Sequence, residues 1–515
     1  MATVLQKAYP ASVRMWGLDT STHKQMSAQF SGVVVSADGY ILTAAHTTTP
    51  GFTYLVMFPD GKEAIAQALG KIEMAEDRTV PDVSMMKILT PGTWPHAEMG
   101  YTTSLKEDEP CVSIAYPESL NQRLPTLRFG RIVNAHNEKG FIQSTCLMEP
   151  GDSGGPLFDL LGRVIGIHSA ITNGEQYNFE VPVELYRKYY MALREAKKFN
   201  SLPEQSEKVD ADPQATAIQS WPQLKDLKAA FTQADARLTQ YCVWISGGGK
   251  KAQGAIFSVG SQTYIVSKSS QVSDAASVFY GKKQLEAKLL ARERETDLVL
   301  FQLKTPLKTG IVTTATPVAI GKLLLSPLAE RSAVVSVAGS QPFSLPKFYS
   351  AGFLGASVPY KQGPMRFSMV RPSSPAGING LQEGDEVVAM NGVTMQKPED
   401  YGATLQQLWP GDTVLMQLKR GDSAYSSRIV LAEKVQQPPS GHPAESFPGG
   451  KSFRRDGFNA VFAHDAILQP EDCGGPVFDT DGNFKGINIA RFSRTSSLAI
   501  SADEVFRFIN EKSAR

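Results

Sequence analysis

The residues best suited to chemistry lie in Glu149-Pro150-Gly151-Asp152-Ser153-Gly154-Gly155-Pro156. A serine among small, turn-forming residues can present its hydroxyl while its own amide and that of Gly151 point into one pocket. An exposed nucleophile beside two backbone donors is what acyl transfer through an oxyanion requires. Gly-Asp-Ser-Gly-Gly-Pro is far more specific than Gly-x-Ser-x-Gly alone, which would indicate a strand-to-helix elbow. The alternative is a glycine-rich hairpin turn with an incidental serine, so a base has to be found elsewhere in the chain.

A serine hydroxyl is inert near neutral pH until a positioned base takes its proton. Of the seven histidines, His46 has a suitable setting, at the end of the strand hairpin Leu42-Thr43-Ala44-Ala45-His46. A carboxylate must then orient the imidazole and stabilise its charged form. Asp77 and Asp82 are both candidates. Asp82 is preferred because it directly precedes a strand and because its partner in an internal repeat, Asp297, keeps the same place. The chain order is therefore histidine, aspartate, serine.

These residues need a scaffold, and composition bounds it. At 515 residues the chain is too long for one core and points to three or four domains. Hydrophobic residues at 42% and charged residues at 20% read as an ordinary globular protein. A formal net charge of +1 gives no reason to expect nucleic acid or an anionic membrane as partner. No apolar run is long enough to span a bilayer, and Met1-Ala2-Thr3-Val4-Leu5-Gln6-Lys7 shows no export signal. The four cysteines, Cys111, Cys146, Cys242 and Cys473, lack the paired spacing of metal or redox sites, so no metal or cofactor is expected. Cys111 reads as a buried strand residue.

Residues 1–198 read as mostly β. Gly32-Val33-Val34-Val35-Ser36, a turn at Ala37-Asp38-Gly39, and Tyr40-Ile41-Leu42-Thr43 form a hairpin, and Tyr54–Phe58 and Val83–Ile88 repeat the pattern. A helix opened by Pro182 is predicted through Leu185, Tyr189 and Leu193. Residues 199–219 read as a polar linker. A helix follows with Ser220 as N-cap, Gln223 in the capping-box position, and Leu224, Leu227, Phe231 and Leu238 as its apolar face.

The chain then repeats itself. Gln253–Ser267 follows Phe30–Thr43, Asp297–Leu303 follows Asp82–Ile88, and Val335-Ser336-Val337-Ala338 follows Val112-Ser113-Ile114-Ala115. Gln469–Asp479 follows Glu149–Asp159, and Val505–Ile509 matches the closing helix. In this second copy Ser270 stands where His46 stands and Cys473 where Ser153 stands, while Asp297 remains. A cysteine still needs a base or a lowered thiol pKa, and His464 falls opposite Ser144, away from the base position. The second copy is therefore read as catalytically degenerate, with a Cys473-dependent activity as the alternative. Residues 346–434 have no counterpart in the first copy, and a Pro- and Gly-rich stretch returns the chain to the repeat.

Ser31-Gly32-Val33-Val34-Val35, Thr43-Ala44-Ala45-His46, Asp82 and Pro150–Pro156 together resemble a trypsin-like protease domain of the HtrA/Deg family, in the chymotrypsin clan. Asp152 stands where asparagine is common in that family. Ser374-Pro375-Ala376 and Gly384-Asp385-Glu386-Val387 resemble a circularly arranged PDZ domain. The resemblance implies a mainly β fold: two chymotrypsin-like double β-barrel domains in tandem, with a PDZ domain inserted between the barrels of the second. The segments are a protease domain at 1–198, linker 199–219, a first pseudoprotease barrel at 220–345, PDZ at 346–434, linker 435–450, and a second barrel at 451–515.

By the same resemblance, His46, Asp82 and Ser153 form a triad, and the Gly151 and Ser153 amides form an oxyanion hole. Leu147 lies at the base of the specificity pocket and Ile167, His168 and Ser169 line its wall. With no carboxylate at Leu147, an apolar or small residue is expected before the cut. Phe353, Leu354 and Gly355 take the place of the PDZ loop that captures a peptide C-terminus. The implied function is a serine endopeptidase acting on unfolded or misfolded proteins or their C-terminal tails, as a homo-oligomer in the periplasm or cell envelope, with the cytoplasm as the alternative compartment. The rival is a chaperone-like peptide-binding scaffold whose first domain rests inactive.

Overall fold

A computed structural model describes residues 1–73, 82–219, 231, 236–312, 316–361, 363–434 and 440–513. In the first copy, strands Ser12–Asp19, Phe30–Val34, Tyr40–Thr43, Thr53–Met57, Glu63–Ile72 and Val83–Ile88 form an antiparallel sheet. It closes on itself because Glu63–Ile72 pairs with both Thr53–Met57 and Val83–Ile88. A second closed ring runs Ile142–Ser144, Asn178–Pro182, Val164–Ile171, Pro156–Phe158, Pro110–Ala115, Thr126–Asn134. Successive side chains on a strand face opposite ways, so each barrel can fill its own interior and still offer an apolar outer face. Val13, Ile41, Val56 and Met86 fill the first. Val33, Leu42 and Met85 instead join Val112, Leu127, Phe158 and Ile167 in one cluster shared by both barrels. That shared core fixes the cleft between them.

The helix predicted from Pro182 is two helices, Val183–Lys188 and Tyr190–Leu193, because Tyr189 between them leaves helical geometry at φ −115°, ψ 22°. Tyr186 is buried and donates its hydroxyl to the Thr43 carbonyl at 2.7 Å, tying this end to the His46 hairpin. Residues 199–219 do not hang free. Asp212 pairs with Arg163 at 2.9 Å, both side chains almost fully enclosed, so a stretch that composition marks as polar linker is docked by its ion pair. Of the helix expected next, Ser220, Gln223, Leu224 and Leu227 lie outside the described residues, whereas Leu238 is buried.

The second copy repeats the architecture with sheets built on Cys242–Gly247, Lys250–Val259, Gln262–Lys268 and Leu298–Leu303, then on Leu323–Ser326, Pro476–Asp479, Phe484–Arg491 and Ser497–Ser501. One correspondence read from sequence is corrected. Phe478 pairs with Leu325 as Phe158 pairs with Val112, so Leu323–Ser326, and not Val335–Ala338, is the counterpart of Pro110–Ala115. Val334–Val337 is the next strand, the counterpart of Thr126–Asn134. Two adjacent apolar runs fit the same sequence template, and only pairing distinguishes them.

Met1–Phe343, Pro439–Ser452 and Val461–Arg515 form one compact unit; Ser344–Pro438 with Phe453–Ala460 form another. The second holds a four-stranded antiparallel sheet of Val393–Thr394, Glu386–Met390, Thr413–Arg420 and Ser423–Val430 with helix Pro398–Gln407. Its own core contains Leu354, Phe367, Val387, Met390, Met416 and Ile429. Among the described residues no helix is long and apolar enough to cross a membrane.

Candidate active site

Strands Tyr40–Thr43 and Val83–Ile88 pair with Thr43 opposite Ser84, which brings the residues just beyond their ends together. His46 follows on a single helical turn, Ala45–Thr47. Its backbone N–H donates to Asp82 Oδ1 at 2.9 Å and its Nδ1 lies 2.6 Å from Asp82 Oδ2. Ser169 Oγ donates to the same Oδ2 at 2.8 Å. Buried Lys71 supports the turn by donating to the Ala45 and Thr48 carbonyls at 3.2 and 3.1 Å. Burial pushes the His46 pKa down, but the hydrogen bond and charge of Asp82 outweigh it and leave it raised. Burial likewise works to raise Asp82, and His46 and Ser169 leave it lowered. With Nδ1 committed to Asp82, the other ring nitrogen is left for the cleft, where the imidazole is 45% exposed.

Ser153 is fixed through its backbone. Ser31 N–H donates to the Ser153 carbonyl at 2.9 Å, and Gly154 N–H to the His168 carbonyl at 2.8 Å. The Gly151 carbonyl accepts from Ser31 Oγ at 2.8 Å, and that oxygen in turn accepts from Tyr116 N–H at 3.0 Å. Gly151 has φ +95°, and a Cβ there would sit 2.5 Å from both the Glu118 nitrogen and the Tyr116 oxygen. No other residue fits without moving this loop. Among the described residues the amides of Gly151 and Ser153 donate to no protein acceptor. His46, Gly151 and Ser153 line one cavity of about 500 Å³, a size suited to part of a peptide.

Of the residues expected around the specificity pocket, Ser169 lines this cavity, and Leu147, Ile167 and His168 do not. His168 is fully buried, with Nε2 2.6 Å from Ser113 Oγ, and burial with the nearby Arg128 charge lowers its pKa to about 3. It is a neutral core residue behind the Ser153 turn. Met148, Ala170 and Ile171 line the wall in their place, together with His442. Asp77 lies outside the described residues.

Sequence reasoning misses Arg128. Its Nη1 and Nη2 donate to Asp152 Oδ2 and Oδ1 at 2.8 and 2.6 Å, and Nη1 also donates to the Leu147 carbonyl at 2.7 Å. Burial of Asp152 outweighs the arginine and raises its pKa to about 6. A strand arginine carries no spacing signal that would connect it to a turn many residues later.

In the second copy Ser270 N–H and Oγ donate to Asp297 at 2.8 and 2.7 Å. Buried Lys268 places its Nζ 3.6 Å from Asp297 and donates to the Ile489 carbonyl. Cys473 is 0% exposed, with Ser452 Oγ 3.8 Å from its sulfur. Burial raises its thiol pKa despite the Lys268 charge. His464 is also buried, 3.4 Å from Ser336 Oγ, with its pKa lowered by burial to about 3. Among the described residues the Cys473 sulfur meets Ser452 Oγ and, at 4.0 Å, the Gln469 carbonyl, neither of which is a base.

In the separate Ser344–Pro438 unit, Phe353 N–H donates to the Ala432 carbonyl at 2.8 Å, and the buried Leu354 accepts at its carbonyl from Ala376 at 2.9 Å. Gly355 has φ +84°, and a Cβ there would meet Ser374 Cβ at 2.0 Å. Among the described residues the Leu354 and Gly355 amides have no protein acceptor.

Residues 30–167 match the family model described as the trypsin-like peptidase domain. The chain is 34% identical over 153 residues to a probable periplasmic serine endoprotease, DegP-like, of Brucella suis, covering 29% of each protein. It is 33% identical over 202 residues to serine protease HTRA1 of Xenopus tropicalis, covering 37% of this chain and 42% of that one. The chain thus spans less than half the length of the curated relatives it matches. Among solved structures, the serine endoprotease from Yersinia pestis aligns with 84% of this chain and 98% of its own at 15% identity and a TM-score of 0.31.

Proposed function

We propose that this chain, whose residues 30–167 are a trypsin-like peptidase domain related to the HtrA and DegP-like serine proteases, is a serine endopeptidase. The observation that carries the reading is the two-point contact between His46 and Asp82 beside a cavity shared with Ser153 and Gly151. His46 accepts the Ser153 proton as Oγ attacks the scissile carbonyl. Asp82 orients the imidazole and stabilises its charge. The Gly151 and Ser153 amides bind the oxyanion of the tetrahedral intermediate. His46 then passes the proton to the leaving amine, and water, deprotonated by the same histidine, releases the acyl group.

Polypeptides are the substrate class, and Met148, Ala170 and Ile171 favour an apolar or small side chain before the cut. The Ser344–Pro438 unit acts as a PDZ domain whose Leu354 and Gly355 amides hold the carboxylate of unfolded protein tails. The second copy is a pseudoprotease, since Ser270 cannot serve as base and Cys473 is sealed. The periplasm or cell envelope is the compartment consistent with the DegP-like relatives.

Labelling with a serine-reactive fluorophosphonate, alongside casein cleavage, tests the reading. Wild type takes the label and cuts casein, and Ser153→Ala does neither. A chain that binds C-terminal peptides yet leaves Ser153 unlabelled is a peptide-binding scaffold instead.

A further inference from the structure

The degenerate copy reaches the loop that carries the first copy's oxyanion donors. Its hairpin Arg491–Ser497 turns tightly, with Phe492 N–H donating to the Ser496 carbonyl at 3.0 Å, and every residue in it is buried. The corresponding hairpin of the first copy, between Ile171 and Asn178, is largely exposed. A tip bearing two arginines, a threonine and serines belongs in water unless each polar group finds a partner. Here some partners lie in the hairpin's own copy, Arg491 donating to the Ala466 and Arg494 carbonyls at 3.0 and 2.6 Å, and others belong to the first copy. Arg491 Nη2 donates to Glu175 Oε1 at 2.6 Å, and Arg494 Nη2 to the Gly174 carbonyl at 2.7 Å. Arg494 Nη1 lies 3.5 Å from the Met148 carbonyl, and Thr495 Oγ1 donates to Glu149 Oε2 at 3.0 Å.

Glu149 links these contacts to the active site. Its other carboxylate oxygen accepts from Ser119 Oγ. Its backbone N–H donates to Asp152 Oδ2 at 3.0 Å and its carbonyl accepts from Asp152 N–H at 3.1 Å. Pro150 and Gly151 follow directly, so the direction of the Gly151 amide depends on where Glu149 is held. Without Thr495, one oxygen of this nearly buried carboxylate loses its protein donor.

We propose that Thr495, with Arg494 beside it, is a positioning residue for acyl transfer at Ser153. The second copy, having no chemistry of its own, sets the Met148–Gly151 loop in the geometry that binds an oxyanion. The inference rests on the endopeptidase reading above and extends it to a role for the repeat.

The test uses the full chain and the variants Thr495→Val, which removes only the hydroxyl, and Thr495→Ser, which keeps it. Three quantities are measured: kcat and KM on a chromogenic peptide, the rate of fluorophosphonate labelling, and inhibition by a peptide boronic acid that mimics the tetrahedral intermediate. Thr495→Val is expected to lose about tenfold in kcat, in labelling and in boronate affinity, with KM little changed, because a displaced oxyanion donor acts on the transition state. Thr495→Ser restores all three. Arg494→Met gives a second route to the same loss, and thermal melting identifies any variant that has simply unfolded. Wild-type kcat and boronate affinity in folded Thr495→Val overturn the positioning role, as does a loss that Thr495→Ser does not rescue. A wild-type chain that takes no label overturns the endopeptidase reading and this role with it.

Discussion

Ser270 holds Asp297 as His46 holds Asp82. In each copy the backbone amide donates to one carboxylate oxygen and the side chain meets the other, at 2.8 and 2.7 Å for Ser270 and 2.9 and 2.6 Å for His46. The exchange keeps both hydrogen bonds and loses a ring that could take up a proton, because a serine hydroxyl takes up none near neutral pH. Asp297 therefore persists as a structural acceptor.

On the proposed reading, cutting depends on one copy only. Ser153→Ala is expected to lower casein cleavage by about 10⁴-fold or more, while Cys473→Ala stays within about twofold of wild type on the same principle. Cleavage in Ser153→Ala that disappears on further mutation of Cys473 would contradict this.

The pH profile reports on His46. Its pKa is raised, Asp82 prevailing over burial, and only the neutral imidazole can accept the serine proton. The acidic limb of kcat/KM should therefore lie above the ordinary histidine value of about 6.5. Asp82→Asn should move that limb to lower pH and lower the rate by about 10⁴-fold. The stability linkage has two parts. The raised His46 contributes stability that is complete below its unfolded pKa and is lost as pH rises through the folded one. The lowered Asp82 contributes stability present above its unfolded pKa and lost as pH falls through the folded one. Asp82→Asn should thus destabilise most between about pH 4 and 6.5, as measured by urea midpoints across that window.

Arg128 and Asp152 form an enclosed ion pair directly before Ser153. Arg128→Met leaves a buried carboxylate without its partner and should cost about 3–5 kcal/mol at neutral pH. Asp152 titrates at about 6, above the ordinary aspartate value. Its contribution to stability is complete below about pH 4 and is lost as pH rises through the folded value. The penalty in Arg128→Met should therefore shrink on acidification as Asp152 takes up a proton. Urea unfolding at pH 4.5 and 7.5 compares the two; a penalty equal at both pH values would refute the argument.

Gly355 tests the proposed tail-binding loop. A methyl group there meets Ser374 Cβ, and φ is +84°, so Gly355→Ala should displace the Leu354 and Gly355 amides. Binding of a C-terminal peptide to the full chain is expected to fall at least about tenfold, while cleavage of a short chromogenic peptide stays near wild type. Unchanged affinity by fluorescence anisotropy would remove this loop from the peptide site.

What the sequence determined by itself was local. Gly151-Asp152-Ser153-Gly154-Gly155 is one turn, His46 ends one hairpin and Asp82 opens one strand, so short motifs and a repeat suffice to single them out as candidates. The structure then holds His46 and Asp82 2.6 Å apart and sets Ser153 on the same cavity. The mainly β class was also legible, because alternating and continuous apolar runs reflect strand geometry.

Tertiary structure alone decided what depends on distant pairing. Which of two similar apolar runs, Leu323–Ser326 or Val335–Ala338, lies beside Pro476–Asp479 is settled by a ladder of hydrogen bonds between strands far apart in the chain. His168 directly precedes Ser169, which lines the cavity, yet its ring turns inward to Ser113. Arg128 reaches Asp152 only because one barrel closes on itself, and Thr495 reaches Glu149 only because one copy packs against the other. A sequence motif records chemistry within a turn. The positions of the groups that hold that turn in place are set by the packing of the two barrels of one copy and of one copy against the other.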